Sequence, residues 1–337
     1  MPSKEAYNNM IKGGIEIGQN RYNNFDSLES NDDLENLFEV ISGYKDKNGS
    51  HPVFTALCIV ANPAFDKIRE DNFERYYYEP VSETLQRYPR HDRVLDLWRE
   101  GSAGRLFVPQ FHGREHLNVQ RWLRDLKTGN EHTMLGFQNS LWGINSHLIP
   151  GGYLAAFDLD NPADLQYMET IIEEGLVLFR KIMGYKARYF VPPNGPFNLS
   201  LNKVLYDNGI QFITLNKKHK EPLGNNRYKT NYHFPGRKNA CGQIYLSRNV
   251  EFEPSLEGVD WVDKCLKDTE IAFTMRKPAV ISTHRVNFTG SLDPVNRGRG
   301  LKQLAELLSR ILKTWPEVEF MSSTELGDLI SNKTVSY

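Results

Sequence analysis

The chain has 337 residues, 39% hydrophobic and 12% aromatic, enough to bury a large core in one domain or two. Its 41 Lys and Arg nearly cancel its 42 Asp and Glu, so no global field draws it to nucleic acid or to an acidic membrane surface. The opening MPSKEAYNNMIKGG lacks a basic segment followed by an apolar one, and no stretch reaches the roughly 18 apolar residues of a membrane span, which predicts a soluble, cytoplasmic protein.

Ser30-Asn31-Asp32-Asp33 reads as a capping-box start, followed by Leu34, Leu37, Phe38 and Ile41 at helical spacing. After a turn at Lys47-Asn48-Gly49, the apolar run 53–60, closed by Asn62-Pro63, predicts a strand buried on both faces. A short helix at 94–99, a strand at 106–108 and a helix at 117–126, with Val119, Trp122, Leu123 and Leu126 on one face, come next. Residues 152–157 suggest another strand, and Asn161-Pro162 caps a long helix reaching Met183. Strands are expected at 189–191, 212–215, 244–246, 280–282 and 318–321, with helices near 199–208, 259–274, 299–314 and 323–331. Residues 216–240, rich in Lys, Asn and Gly, read as a long surface loop or lid, and residues 1–25 are poorly marked.

Short apolar strands alternating with helices predict a parallel sheet, and about seven or eight such units can close into a barrel. The expectation is one α/β domain over 1–337, a distorted (β/α) barrel of about seven strands. A doubly wound open sheet is the alternative. Cys58, Cys241 and Cys265 lie far apart with no C-x-x-C pair, which argues against a disulfide framework and a thiolate zinc site, and Cys58 reads as a buried, inert thiol.

The sharpest chemical feature is His112-Gly113-Arg114-Glu115-His116, directly after a strand, where parallel α/β folds collect catalytic groups. Histidines four apart on the first turn of a helix share a face and can reach one divalent ion, with zinc the first choice. Surface or capping histidines are the plain alternative. H-x-x-E-H is also the signature of an inverted zinc peptidase, but Pro109 and Gly113 suit a strand-to-helix loop better than a helix interior. Ser282-Thr283-His284-Arg285 ends another apolar run: His284 suits a general acid and Arg285 an anion or hydroxyl binder, against a hydrogen-bonded core histidine. Val191-Pro192-Pro193-Asn194-Gly195 would stiffen a third loop at the same rim, with an ordinary turn as the alternative.

In this order the three segments resemble the polysaccharide deacetylase family, the NodB-homology fold of metal-dependent carbohydrate esterases, over about residues 50–330. The resemblance makes His112 and His116 the metal histidines and His284 the catalytic histidine. Pro192, Pro193 and Gly195 match the family's R-P-P-type loop in part, Val191 standing where the family has arginine. Glu257-Gly258-Val259-Asp260-Trp261 echoes its Asp-Trp motif faintly, and helical periodicity is the better reading there.

The family's opening strand with paired aspartates has no counterpart. Either the sequence begins downstream of that strand or the base has been lost, and Asp32-Asp33 is explained as helix-start charge. Asp26, preceded by Tyr22 and Phe25, is the candidate substitute base. The resemblance implies metal-assisted removal of an acetyl group from a sugar or polysaccharide, with Asn194 and Arg285 binding substrate. A non-catalytic carbohydrate-binding relative is the competing reading, and a zinc peptidase comes third.

Overall fold

The computed structural model describes residues 4–15, 20–143 and 151–334. The strands, in chain order, are β1 (Phe54–Ile59), β2 (Ala61–Pro63), β3 (Tyr78–Pro80), β4 (Phe107–Gly113), β5 (Tyr189–Phe190), β6 (Phe212–Thr214), β7 (Lys218–Gly224), β8 (Arg227–Tyr232), β9 (Ile244–Leu246), β10 (Val250–Glu251) and β11 (Ile281–Ser282). The central sheet has five strands in the order β1-β4-β5-β6-β9, every pairing parallel.

Sheet order follows chain order without a reversal, so the doubly wound alternative, which needs a switch point, does not describe this sheet. The parallel α/β sheet has five strands where about seven were expected, and barrel closure is not formed among the described residues. Among the described residues β1 and β9 do not pair, and β10 and β11 form a parallel sheet of their own. Residues 318–321 are not a strand, because side chains take the donors beside β1: Phe320 N–H donates to Asp46 Oδ2 (2.8 Å) and Ser323 N–H to Thr55 Oγ1 (2.8 Å).

The local capping chemistry behaves as its residues dictate. Ser30 and Asp33 form a reciprocal capping box on the helix Asn31–Ser42, and Asn161 caps a 3-10 turn that runs into the 19-residue helix Leu165–Met183. That helix lies so close on β4 that a Cβ at Gly175 would sit 2.8 Å from Phe111. Phe111, Phe157, Phe179, Phe190 and Phe197 make a buried aromatic floor beneath the strand ends.

Three further expectations are corrected. β1 is an edge strand, so only Cys58 along it is buried rather than both faces. Residues 152–157 form turns, with Ala156 N–H on Leu154 O and Asp158 N–H on Ala155 O, after Gly151 and Gly152 at positive φ. The segment 216–240 is largely an antiparallel ribbon, β7 paired with β8. No described helix is long and apolar enough to cross a membrane.

Candidate functional site

Because the five strands are parallel, their carboxyl ends lie along one edge, and the segments that follow them make a common rim. His112 is the penultimate residue of β4, and His116 stands in the turn before the helix Val119–Lys127. The expectation of both histidines on a first helical turn is therefore corrected. The rings still meet, edge to face at 5.2 Å between centroids. Gly113 allows this at φ 141°, where a Cβ would stand 2.9 Å from the Glu115 carbonyl.

The His112 Nδ1 contacts the Val191 carbonyl at 2.7 Å, which fixes Nδ1 as the protonated nitrogen and leaves Nε2 a free lone pair. Burial, with the neighbouring His116, Arg248 and His284, pushes the His112 pKa down to about 3, so the ring is neutral. Burial and the charge of Arg285 lower His116 as well, against the pull of Asp26. Its Nδ1 has no well-formed hydrogen bond, although the Leu154 backbone lies close enough to favour the protonated form.

His284 enters from the turn after β11. Its Nδ1 lies 2.5 Å from Glu253 Oε1, and the other oxygen of that carboxylate accepts from Arg21 Nη1 (2.6 Å) and Asn287 Nδ2 (2.9 Å). Burial opposes the Glu253 charge, but these donors outweigh it and hold the carboxyl below its usual range. Tyr22 stands edge-on to the His284 ring at 5.8 Å.

Arg285 grips Asp26 with Nε and Nη2, each at 3.0 Å from a carboxylate oxygen. Asp26 ends the short helix Arg21–Phe25, which is also tied down by Thr289 Oγ1 on the Phe25 carbonyl (3.0 Å). Burial works against the Arg285 charge, yet Asp26 and Glu29 hold its pKa above the usual value.

Chain segments near residues 26, 112, 116 and 284 thus act on one another electrostatically. Asn194 is exposed, at φ 55° in the turn closed by Gly195 N–H on the Pro192 carbonyl. Glu115 is buried against Arg114 (2.6 Å) on a strand-to-helix turn, so it is not the general base of a helical H-x-x-E-H motif, and the peptidase reading falls. Asp260 caps the helix Trp261–Thr274, as its periodicity implied.

His112 and His116 offer two nitrogens, but among the described residues no group of three His, Cys, Asp or Glu could hold an ion, and Asp26 has both oxygens on Arg285. The set present does not fit a three-ligand catalytic metal site.

Sequence reading missed Glu253, Arg21 and Arg248. Glu253 follows the two-residue strand β10, too short for readable periodicity, and the usable signal was a carboxylate just beyond a strand's carboxyl end. Nothing in the local sequence marks Arg21 as its partner.

No family model matches the chain, and no curated protein matches it. Among solved structures, a Mycobacterium smegmatis protein described as a polysaccharide deacetylase aligns at 10% identity over 90% of this chain and 78% of its own, with a TM-score of 0.44. IcaB from Ammonifex degensii aligns at 16% identity over 38% and 42%, TM-score 0.24, and the α-amylase AmyC from Thermotoga maritima at 8% over 73% and 53%, TM-score 0.41. What the rim can do rests on its own residues.

Proposed function

We propose that this protein is a carbohydrate-acting hydrolase of polysaccharide-deacetylase type, which removes an acetyl group from an acetylated sugar or polysaccharide. The observation that carries this reading is the His284–Glu253 pair, set at the rim that also holds His112 and His116. A histidine whose Nδ1 is fixed by a carboxylate presents Nε2 for proton transfer in one tautomer. In the proposed reaction water adds to the acetyl carbonyl and gives its proton to Asp26. The C–N or C–O bond then breaks, and the leaving nitrogen or oxygen takes the Nε2 proton of a doubly protonated His284, whose Nδ1–H stays on Glu253. Arg285 positions Asp26, and Asn194 and the rim aromatics line a sugar subsite. The test is acetate release from acetylated oligosaccharides: His284→Ala should abolish it, and release unchanged in that variant would overturn the reading.

One observation favours the non-catalytic, carbohydrate-binding alternative. Both Asp26 oxygens are engaged by Arg285 and would have to be shared with a substrate water. Binding of acetylated oligosaccharides with no acetate released would select it.

A further inference from the structure

The β7–β8 ribbon leaves the same rim, starting four residues after β6 ends, and its charge sets it apart from the rest of the chain. Residues 216–240 contain seven Lys and Arg against one acidic residue, Glu221, a balance of +6; since the whole chain is −1, everything else carries −7. Elsewhere at the rim Arg21 is paired with Glu253, Arg285 with Asp26, and Arg121 with Asp158 and Asp160. Among the described residues, none of these seven cations has a carboxylate within ion-pair distance, and Glu221 is buried with its oxygens on Leu199 N–H and Asn231 Nδ2.

Register sorts the side chains by face. Directly opposed residues of an antiparallel pair share a side, so His219, Asn231 and Glu221 lie on the inner face, while Lys218 with Tyr232, Lys220 with Thr230, and Pro222 with Tyr228 share the other. On that side Lys218, Lys220, Tyr228, Thr230 and Tyr232 are all exposed, and Tyr228 and Tyr232 show 54% and 60% of their surface. Four residues of strand separate the tyrosines, about 13 Å, with the lysines beside them. Just beyond, Phe234 is 48% exposed and carries the Lys217 ammonium over its ring at 5.8 Å. Arg248, after β9, is another exposed rim cation, and its charge reaches His112.

Exposed aromatic rings offer flat apolar faces to sugar rings, and unpaired ammonium groups between them attract carboxylates or sulfates. We propose that the outward face of this ribbon binds an anionic polysaccharide and leads it to the rim, so that the substrate class is an acidic, acetylated glycan. This deepens the hydrolase reading and rests on it for the choice of a glycan over other polyanions.

The test measures binding of polygalacturonate, with dextran as a neutral polymer and single-stranded DNA as a non-glycan polyanion, to wild type, a Lys218→Glu/Lys220→Glu double variant and Tyr228→Ala. The outward residues are exposed, so melting temperatures should stay at the wild-type value and report intact folding. Polygalacturonate should bind more tightly than dextran or DNA, and more weakly as salt rises. The double lysine reversal should weaken it at least tenfold and flatten the salt dependence. Tyr228→Ala should weaken it severalfold with the salt dependence intact. Absence of polygalacturonate binding at low salt, indifference to the lysine reversal, or tighter binding of DNA would overturn the proposal. Acetate release plays no part in this readout, so polygalacturonate binding by a protein that releases no acetate supports the ribbon's role and removes only the hydrolase reading.

Discussion

His284 and the His112–His116 pair occupy the same rim but are held in opposite ways. The His284 ring is wired to a carboxylate that itself receives an arginine and an amide, so its orientation is fixed through three chain segments. His112 leans on one backbone carbonyl, and His116 Nδ1 has no well-formed partner. A charged relay suits a group that must give and take a proton, whereas neutral rings with free lone pairs suit a group that waits for an electrophile, a proton donor or a cation. On the proposed reading, proton transfer falls to the His284 side and ligand capture to the other.

The sharpest way to break that assignment is to cut the relay. His284→Ala should lower kcat for acetate release by about 10² to 10⁴. Glu253→Gln, which keeps the shape but not the charge, should fall by a large part of the same factor, and a wild-type rate in Glu253→Gln would mean that the relay is structural only. Asp26→Asn tests the base: a loss of about 10² or more is expected if Asp26 takes the water's proton. Robust release insensitive to that change would place the base elsewhere.

These tests lean on residues that the sequence disclosed unevenly. His112, His116 and His284 were legible because each follows an apolar run, and the capped helices at 31–42 and 165–183 were legible because Ser30, Asp33 and Asn161 announce their starts. Glu253 and Arg21 were not, since their partnership joins positions 232 apart, and no local period encodes a contact of that range. The ribbon at 218–232 was hidden for another reason: β8 is exposed along nearly its whole length, so it lacks the apolar alternation by which strands are read. The 152–157 segment failed in reverse. Its Tyr153 and Phe157 are fully buried, which mimics a strand, while positive-φ glycines turn the backbone.

A second histidine pair, outside the rim, sharpens the comparison through pH. His219 and His233 face each other across the ribbon's inner side, Nδ1 to Nε2 at 3.2 Å, with the His233 ring 4.3 Å from that of Tyr245. Burial and the neighbouring His233 push the His219 pKa down to about 4, against the pull of Glu221. An unfolded histidine has a pKa of about 6.5, so between these values the unfolded chain holds the extra proton, and stability rises with pH. The stabilisation is present above about pH 6.5, and falling pH removes it down to about pH 4, by roughly 3 kcal/mol at most. Denaturant titrations at pH 7 and pH 4.5 should differ by less in His219→Gln than in wild type. An equal difference in the two proteins would show that this pair does not couple folding to pH.

The smallest effect expected concerns the lone pairs of His112 and His116. Two imidazole nitrogens without an anionic third ligand should hold a divalent ion only moderately, with the remaining positions left to water. A ligand that binds only the folded state stabilises it by RT ln(1 + [L]/Kd), which is about 1.4 kcal/mol at ten times Kd. Zinc titration should therefore raise the melting temperature of the wild-type protein by a few degrees, reversibly on chelation. The rise should vanish in His116→Ala and persist in His284→Ala, because the expected ion rests on the His112 and His116 nitrogens alone. Equal zinc response and metal content in wild type and His116→Ala would remove the histidine pair as a metal site. Loss of the response in His284→Ala would show instead that the two sides of the rim act together on the ion, and the division between proton transfer and ligand capture would have to be given up.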